Sequence, residues 1–333
     1  MVNPSISIVM SVYNGEKDLA KTIDSILLQT YIDFEFIIIN DGSTDNTSKI
    51  LTTYIERDKR IRIIEQENLG LTKALIRGCK EACGEYIARQ DVGDVSLPQR
   101  LKKQIELLSS KQKLVMCGCW ARMLGPNNEV LAETKRPLDP KIATHQLLYE
   151  KKAPAHHGSV MFSKKAYEKV GGYRYQFYYG QDSDLWLRLG KEGLISYVQD
   201  FLYEYRFNYN DISLLKIPIQ SKYGELGQAC HKAKLKDESE EPYLKQALQL
   251  QTRITDKNKD EEWSLDKINY FIGSCLLKRK DRRALPYLLR AFIYNPLHLL
   301  MLAKIISALF LFIPRHLIAP SKKNSIRRNI DEG

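Results

Sequence analysis

The chain has 333 residues, 44% apolar and 27% charged, with 12 prolines and 18 glycines; this fills a core and excludes a disordered, collagen-like or purely coiled-coil protein. The length suits one large domain with an appendage, or two domains. A net charge of +11 suits anionic partners such as nucleotides, nucleic acid or acidic lipid surfaces, and does not choose among them. The six cysteines lack the pattern of a small secreted framework and read as reduced, mostly buried thiols. With no basic and hydrophobic leader at its start, the chain is expected in the cytosol.

Ile6–Val12 is a β-branched apolar run that stops at Tyr13-Asn14-Gly15, and the helical pattern Leu19, Ile23, Ile26, Leu27 follows. Phe34–Ile39 repeats the device, ending at Asn40-Asp41-Gly42-Ser43-Thr44-Asp45 before a helix from about Asn46 through Tyr54. Ile61–Ile64 is a third strand leading through Asn68-Leu69-Gly70 into a helix over 71–83, and Tyr86–Ala88 a fourth, ending at Arg89-Gln90-Asp91-Val92-Gly93-Asp94. Strands alternating with helices predict right-handed βαβ units and an α/β fold with a mostly parallel central sheet. Tyr13, Asp41 and Asp91 then all follow strand carboxyl ends, where open α/β sheets bind ligands.

Pro98–Leu108 predicts an amphipathic helix, Leu114–Trp120 a strand, Asn127-Asn128-Glu129 a hairpin-like turn and Ser159–Phe162 a further strand. Asp182–Leu189 is helical with Leu185, Trp186 and Leu189 on its apolar side, Leu202–Phe207 is extended, and a first domain closes near residue 212. Asp237–Glu241 reads as an acidic, solvent-facing break, so 213–333 is expected as a helical C-terminal region. Leu276–Ile293 mixes six basic residues with leucines and predicts one basic amphipathic helix. Leu297–Ile313 is apolar except for His298, Lys304 and Ser307, and as a helix it is about 26 Å long, short of the roughly 30 Å hydrocarbon core. It reads as an in-plane membrane helix, with a core or homodimer helix as the other reading and a span as the least favoured. Lys322, Lys323, Arg327 and Arg328 in the tail would favour an anionic membrane surface.

Neither G-x-G-x-x-G after the first strand nor G-x-x-x-x-G-K-[ST] is present, so neither a dinucleotide fold nor a P-loop is supported. A carboxylate accepts from a base N–H or a ribose hydroxyl, which makes Asp41 a candidate reader with Tyr13 stacking on the base. Asp45 reads more simply as an Asx turn or helix cap. Asp91 and Asp94 in one short turn are able to share a divalent cation, Mn²⁺ or Mg²⁺, with His157 or another imidazole completing the shell. Of Asp182 and Asp184, one is free to face the crevice as a general base while the other serves the helix N-terminus.

These segments resemble family 2 glycosyltransferases of the GT-A fold. The resemblance rests on Ser7-Ile-Val-Met-Ser-Val-Tyr-Asn14, Ile26-Leu-Leu-Gln-Thr-Tyr31, Ile39-Asn-Asp-Gly-Ser-Thr-Asp-Asn-Thr47, Asn68-Leu-Gly70 and Gly84-Glu-Tyr-Ile-Ala-Arg-Gln-Asp91 in this order, running on to Arg100-Leu101. It covers roughly residues 4 to 210 and implies Tyr13 stacked on the base, Asp41 bonded to it, and Ser11 with Glu16 lining that end. It also implies a metal at Asp91 and Asp94, Asp182 as catalytic base, and Arg89 or Lys73 helping the departing diphosphate. Gly93 stands where the family's D-x-D motif has its second Asp, and Gln181 where Glu is common. His156-His157-Gly158-Ser159 resembles the acceptor-side loop, with Trp186 on that side and 145–158 as a flap; the sequence does not say which histidine serves. The implied reaction is inverting transfer from a nucleotide-diphospho-sugar, UDP favoured, to a saccharide or lipid-linked saccharide at the cytoplasmic face of a membrane. A donor-binding protein without turnover is the first alternative. A nucleic-acid module is the second, disfavoured because the basic excess lies beside apolar helices rather than interleaved with aromatics.

Overall fold

Period-two alternation in the first strands puts a hydrophobic layer on each face of a sheet. In β1 (Ile6–Val12), Ile6, Ile8, Met10 and Val12 join one core cluster while Val9 joins the other. In β2 (Phe34–Asp41), Phe34, Phe36 and Ile38 face the first and Ile37 and Ile39 the second. The computed structural model describes residues 3–110, 113–152, 154, 156–207, 217–255, 264–296 and 299–312. Helices α1 (Leu19–Leu27), α2 (Thr47–Arg57) and α4 (Arg100–Ser109) supply the first layer, and α3 (Leu71–Glu81), α5 (Pro140–Tyr149), α6 (Lys164–Lys169) and α7 (Gln181–Glu192) the second.

The remaining strands are β3 (Ile61–Gln66), β4 (Tyr86–Arg89), β5 (Val95–Ser96), β6 (Leu114–Leu124), β7 (Val130–Thr134), β8 (Met161–Ser163) and β9 (Leu194–Arg206). They form a nine-stranded mixed sheet in the order β3-β2-β1-β4-β8-β6-β9-β5, with β7 as a hairpin on β6. The β3-β2-β1-β4 portion is parallel throughout, as predicted. Beyond it β8 is antiparallel to β4 and β6, whereas β6 and β9 run parallel. The chain moves outward from β1 through β2 to β3 and returns to the other side of β1 as β4. That reversal opens a crevice at the carboxyl ends of β1 and β4.

By its internal contacts the chain falls into two compact units, 1–262 and 263–333. The division expected at residue 212 lies within 208–216, outside the described residues. In the first unit, α8 (Ile217–Leu235) and α9 (Glu241–Thr255) share a core of Phe177, Tyr223, Cys230 and Ala247. The 237–241 break expected to face solvent is partly turned inward. Glu240 Oε1 accepts from Arg174 at 2.9 Å, and Arg174 in turn reaches Asp184 of α7 at 3.3 Å.

The second unit contains α10 (Leu265–Lys278), α11 (Ala284–Tyr294) and α12 (Leu299–Phe312). The single helix expected over 276–293 is therefore two. Lys280 takes φ +58°, its N–H donates to the Leu277 carbonyl, and the Asp281 N–H donates to the Leu276 carbonyl. Such paired bonds close a helix C-terminus, and Asp281 then accepts from the Arg283 N–H to start the next turn. The periodicity of the leucines continues across this break, which is why sequence patterning joined the two helices. Of the predicted helix 297–313, the ends 297, 298 and 313 lie outside the described residues, as does the basic tail. No helix among the described residues is long and apolar enough to cross a membrane.

Candidate active site

The first two loops lock together around their backbone donors. Asn14, at φ +51°, accepts from the Thr44 N–H at 2.8 Å and donates its own N–H to Ser43 Oγ at 3.0 Å. Glu16 accepts from the Asn46 N–H at 3.1 Å, and its own N–H donates to Asp45 Oδ2 at 3.1 Å. Asp45 Oδ1 also accepts from the Thr47 N–H at 3.0 Å, the expected Asx turn. Glu16 thus braces the loop that carries Tyr13. Tyr13 stands 50% exposed on that clamped loop, a ring presented for stacking, while Ser11 is half-buried at the end of β1.

Asp41 ends β2 almost fully buried. Its Oδ1 accepts from Gln66 Nε2 at 2.6 Å and the Leu69 N–H at 2.9 Å, and its Oδ2 accepts from the Gly70 N–H at 2.9 Å. Two carboxylate oxygens offer about four lone-pair directions, and three of them fix the 66–70 loop.

Asp91 and Asp94 sit in the turn after β4. The turn needs Gly93 at φ +94°, where a side chain is strained, and the Gly93 N–H donates to Thr22 Oγ1 at 2.9 Å. The residue that departs from D-x-D thereby brings Asp94 round onto the same point as Asp91. His156 Nδ1 lies 3.4 Å from Asp94 Oδ2 and 3.8 Å from Asp91 Oδ2, and one ligand atom from each residue falls within 4.8 Å of the others. His156 Nδ1 accepts from the Gly158 N–H at 3.2 Å, so it is the unprotonated ring nitrogen, and its one lone pair is the one a cation shared with the two carboxylates would take. These three residues form a candidate divalent-cation cluster, and a set of two oxygens and one imidazole fits Mn²⁺ and admits Mg²⁺. His156, not His157, is the imidazole of the cluster.

Arg89 is wholly buried behind the acids. It donates to the Val9 carbonyl, to Asp91 Oδ1 at 2.7 Å and to His157 Nε2 at 3.3 Å. Burial works against ionisation of Asp91, but the Arg89 guanidinium, then His157 and His156, hold its carboxyl below the usual carboxylate range. Burial and then Arg89 push His157 down to about 4, so this imidazole is neutral near pH 7. Arginine only donates, so Nε2 is the acceptor and receives the Tyr173 hydroxyl as well, at 2.9 Å.

Asp182 begins α7, with its Oδ1 accepting from the Ser183 N–H at 2.8 Å. The charges of Asp91 and Asp182, which stand on different elements, both favour protonation of His157, against burial and Arg89. Asp184 is turned the other way, buried between Arg174 and Arg188, whose Nη2 stands 2.6 Å from Oδ2. Trp186 lies in the core and meets His157 edge-on at 5.8 Å between ring centroids, so it borders the acceptor side only through that ring. Lys73 is exposed in the first turn of α3, apart from the acid cluster's contacts.

Tyr203 is a site residue that sequence reasoning missed. Its hydroxyl donates to Asp94 Oδ2 at 2.8 Å and accepts from the Asp91 N–H at 3.3 Å, and its ring stacks on His156 at 5.4 Å. A Cβ on Gly158 would collide with that hydroxyl, which makes this glycine the space for Tyr203. Arg100, quoted only within a motif, is fully buried and ties the carbonyls of Arg89 and Gly158 at 3.0 and 2.7 Å, under the Tyr203 ring. Local sequence carries no signal for Tyr203, because its partners lie 112 and 109 residues away.

A parallel sheet that reverses beside β1, a candidate cation cluster of Asp91, Asp94 and His156 after β4, and Asp41 buried at the end of β2 fit a nucleotide-sugar-dependent transferase of GT-A-like fold. The pattern of the glycosyl transferase family 2 matches residues 7–171. The O-antigen biosynthesis glycosyltransferase WbnJ of Escherichia coli is 39% identical over 188 residues, 56% of this chain and 72% of that protein. EpsE of Bacillus subtilis is 35% identical over 208 residues, 61% of this chain and 73% of its own length. Among solved structures, TarS 1–349 of S. aureus in complex with UDP-GlcNAc has a TM-score of 0.57 at 18% identity, over 91% of this chain and 89% of that one. The mannosyltransferase PcManGT of Pyrobaculum calidifontis, in complex with GDP-Man and Mn²⁺, has 0.53 at 17% identity over 93% and 87%. At such identities the structural likeness speaks for the fold. The chain belongs to glycosyl transferase family 2, and it is an inverting glycosyltransferase using a nucleotide-diphospho-sugar.

Proposed function

We propose that the chain transfers a sugar from a UDP-sugar to a hydroxyl of a saccharide carried on a lipid at an anionic membrane surface, in surface polysaccharide synthesis. The observation that carries this reading is the convergence of Asp91 and Asp94, from the turn after β4, with His156 from a later segment, while Asp41 is buried at the end of β2. Tyr13 stacks on the uracil and the remaining lone pair of Asp41 accepts its N–H. Asp91, Asp94 and His156 hold Mn²⁺ or Mg²⁺, which when bound offsets the charge of the departing diphosphate. Asp182 takes the proton from the acceptor hydroxyl as that oxygen attacks the anomeric carbon on the face opposite UDP. Arg89 acts through Asp91, keeping it ionised, and Lys73, which the family resemblance assigns to the departing diphosphate, stands exposed on α3.

Slow hydrolysis of the donor, with water as acceptor, tests this without knowledge of the natural acceptor. Proton NMR of the first sugar released from a set of α-linked UDP-sugars should show the β-anomer, and Asp182→Asn should suppress it. Release of the α-anomer, or equal turnover by the variant, would refute the role given to Asp182.

A further inference from the structure

The second unit carries a surface that the transfer chemistry does not use. In α12, Met301, Ile305 and Ala308 are buried, three and four residues apart, against α10 and α11. The opposite side of the helix is uncovered, with Leu300 65% and Phe310 70% exposed and Leu302, Ile306, Leu309 and Leu311 each exposed as well. Not one charged residue stands on that face. The helix has one charge, Lys304, and it is turned away: its ammonium donates to Ser274 Oγ at 2.6 Å and lies 4.3 Å from the centre of the Tyr270 ring.

The cations of this unit lie where the apolar face ends. Ile305, Ala308 and Phe312 share a cluster with Leu277, Leu285 and Leu288, which sets the carboxyl end of α12 beside the α10–α11 turn. That turn exposes Lys278, Arg279, Lys280, Arg282 and Arg283, against the lone acid Asp281, which is paired with Arg283 at 2.6 Å. α11 adds exposed Leu289, Ile293 and Tyr294 around Arg290. An uncharged apolar helix face of this extent is unfavourable in water, and a basic cluster at its edge selects against a purely hydrophobic partner.

We infer that α12 docks in the plane of an anionic bilayer, its Leu300, Ile306 and Phe310 face entering the acyl boundary, Lys304 held on the protein side, and the α10–α11 turn on the lipid phosphates. A described length of 14 residues, about 21 Å, lies along the interface rather than through it. The inference deepens the membrane-surface part of the proposed function and names its docking face; it does not depend on the transfer reaction.

Flotation of the full chain with vesicles of phosphatidylcholine, with and without phosphatidylglycerol, tests it. The native protein should float with the anionic vesicles and be released by raised salt. Ile306→Glu with Phe310→Glu, on a face already exposed to water, should reduce bound protein at least about tenfold. Lys278→Gln with Arg282→Gln should cause a loss of similar size on anionic vesicles. UDP binding and circular dichroism unchanged in both variants show that the loss is one of docking and not of fold. Native protein that fails to float, or variants that float equally, overturn the inference. So does a dimer in solution that the glutamate pair dissolves while flotation persists, which would assign the face to a second copy. Failure of UDP binding with flotation intact would count against the donor reading alone.

Discussion

Asp182 and Asp184 are two residues apart on one helix and have opposite fates. Asp184 is enclosed by Arg174 and Arg188, so its charge is compensated inside the protein, while Asp182 among the described residues accepts from the next backbone N–H alone. A general base contributes about 10² to 10⁴ in rate, so Asp182→Asn should lower kcat by that range with UDP affinity unchanged by calorimetry. Tyr203 acts one step back, as a positioning residue that holds Asp94 and the backbone of Asp91 in register with His156. Tyr203→Phe keeps the ring and removes only the hydroxyl. It should weaken Mn²⁺ binding about 10- to 100-fold while metal-free UDP binding stays as it was. A merely structural role would lower thermal stability and leave the metal titration unmoved.

At the scale of elements, two networks tie neighbouring elements together. The Asp184–Arg174–Glu240 chain joins α7 to the loop before α9, and removing one partner from a buried pair costs about 3–5 kcal/mol because the other charge is left uncompensated. Asp184→Ala should therefore lower the stability to urea by about that amount, whereas Glu240→Gln, nearer the surface, should cost less. On β2, burial works against ionisation of Glu35, yet bonds from Ser7, the Cys83 N–H and Arg62 bring it below the ordinary 4.5. With its folded value depressed, Glu35 contributes stability in full above that value and loses it as pH falls through its lower folded one. Denaturation midpoints measured at descending pH below about 4.5 should fall less steeply in Glu35→Gln than in the native chain.

The elements that sequence made legible are those whose information is local. β1 to β4 and the helices between them follow from period-two and period-3.6 runs punctuated by Asn, Asp and Gly, and the crevice follows from where Tyr13, Asp41 and Asp91 fall after those runs. β5 has two residues and exists only because β9 pairs with it, so no pattern marks it. The choice between His156 and His157 was hidden for the same reason: Arg89, itself placed by β4, takes His157 inward and leaves His156 to the acids.

At the scale of the molecule, a GT-A-like unit binds and reacts, while a second unit of α10–α12 presents an apolar, cation-edged surface. The reaction and the surface are separable by mutation, because the proposed donor, metal and base residues all stand in the first unit and the docking face in the second. The most direct test of the central claim is calorimetric titration of UDP with and without Mn²⁺, on the native chain and on Asp94→Asn. The account predicts that Mn²⁺ raises UDP affinity in the native chain by about tenfold or more and that the variant loses this gain while keeping its metal-free affinity. UDP binding indifferent to Mn²⁺ in the native chain, or a gain that survives Asp94→Asn, would contradict it.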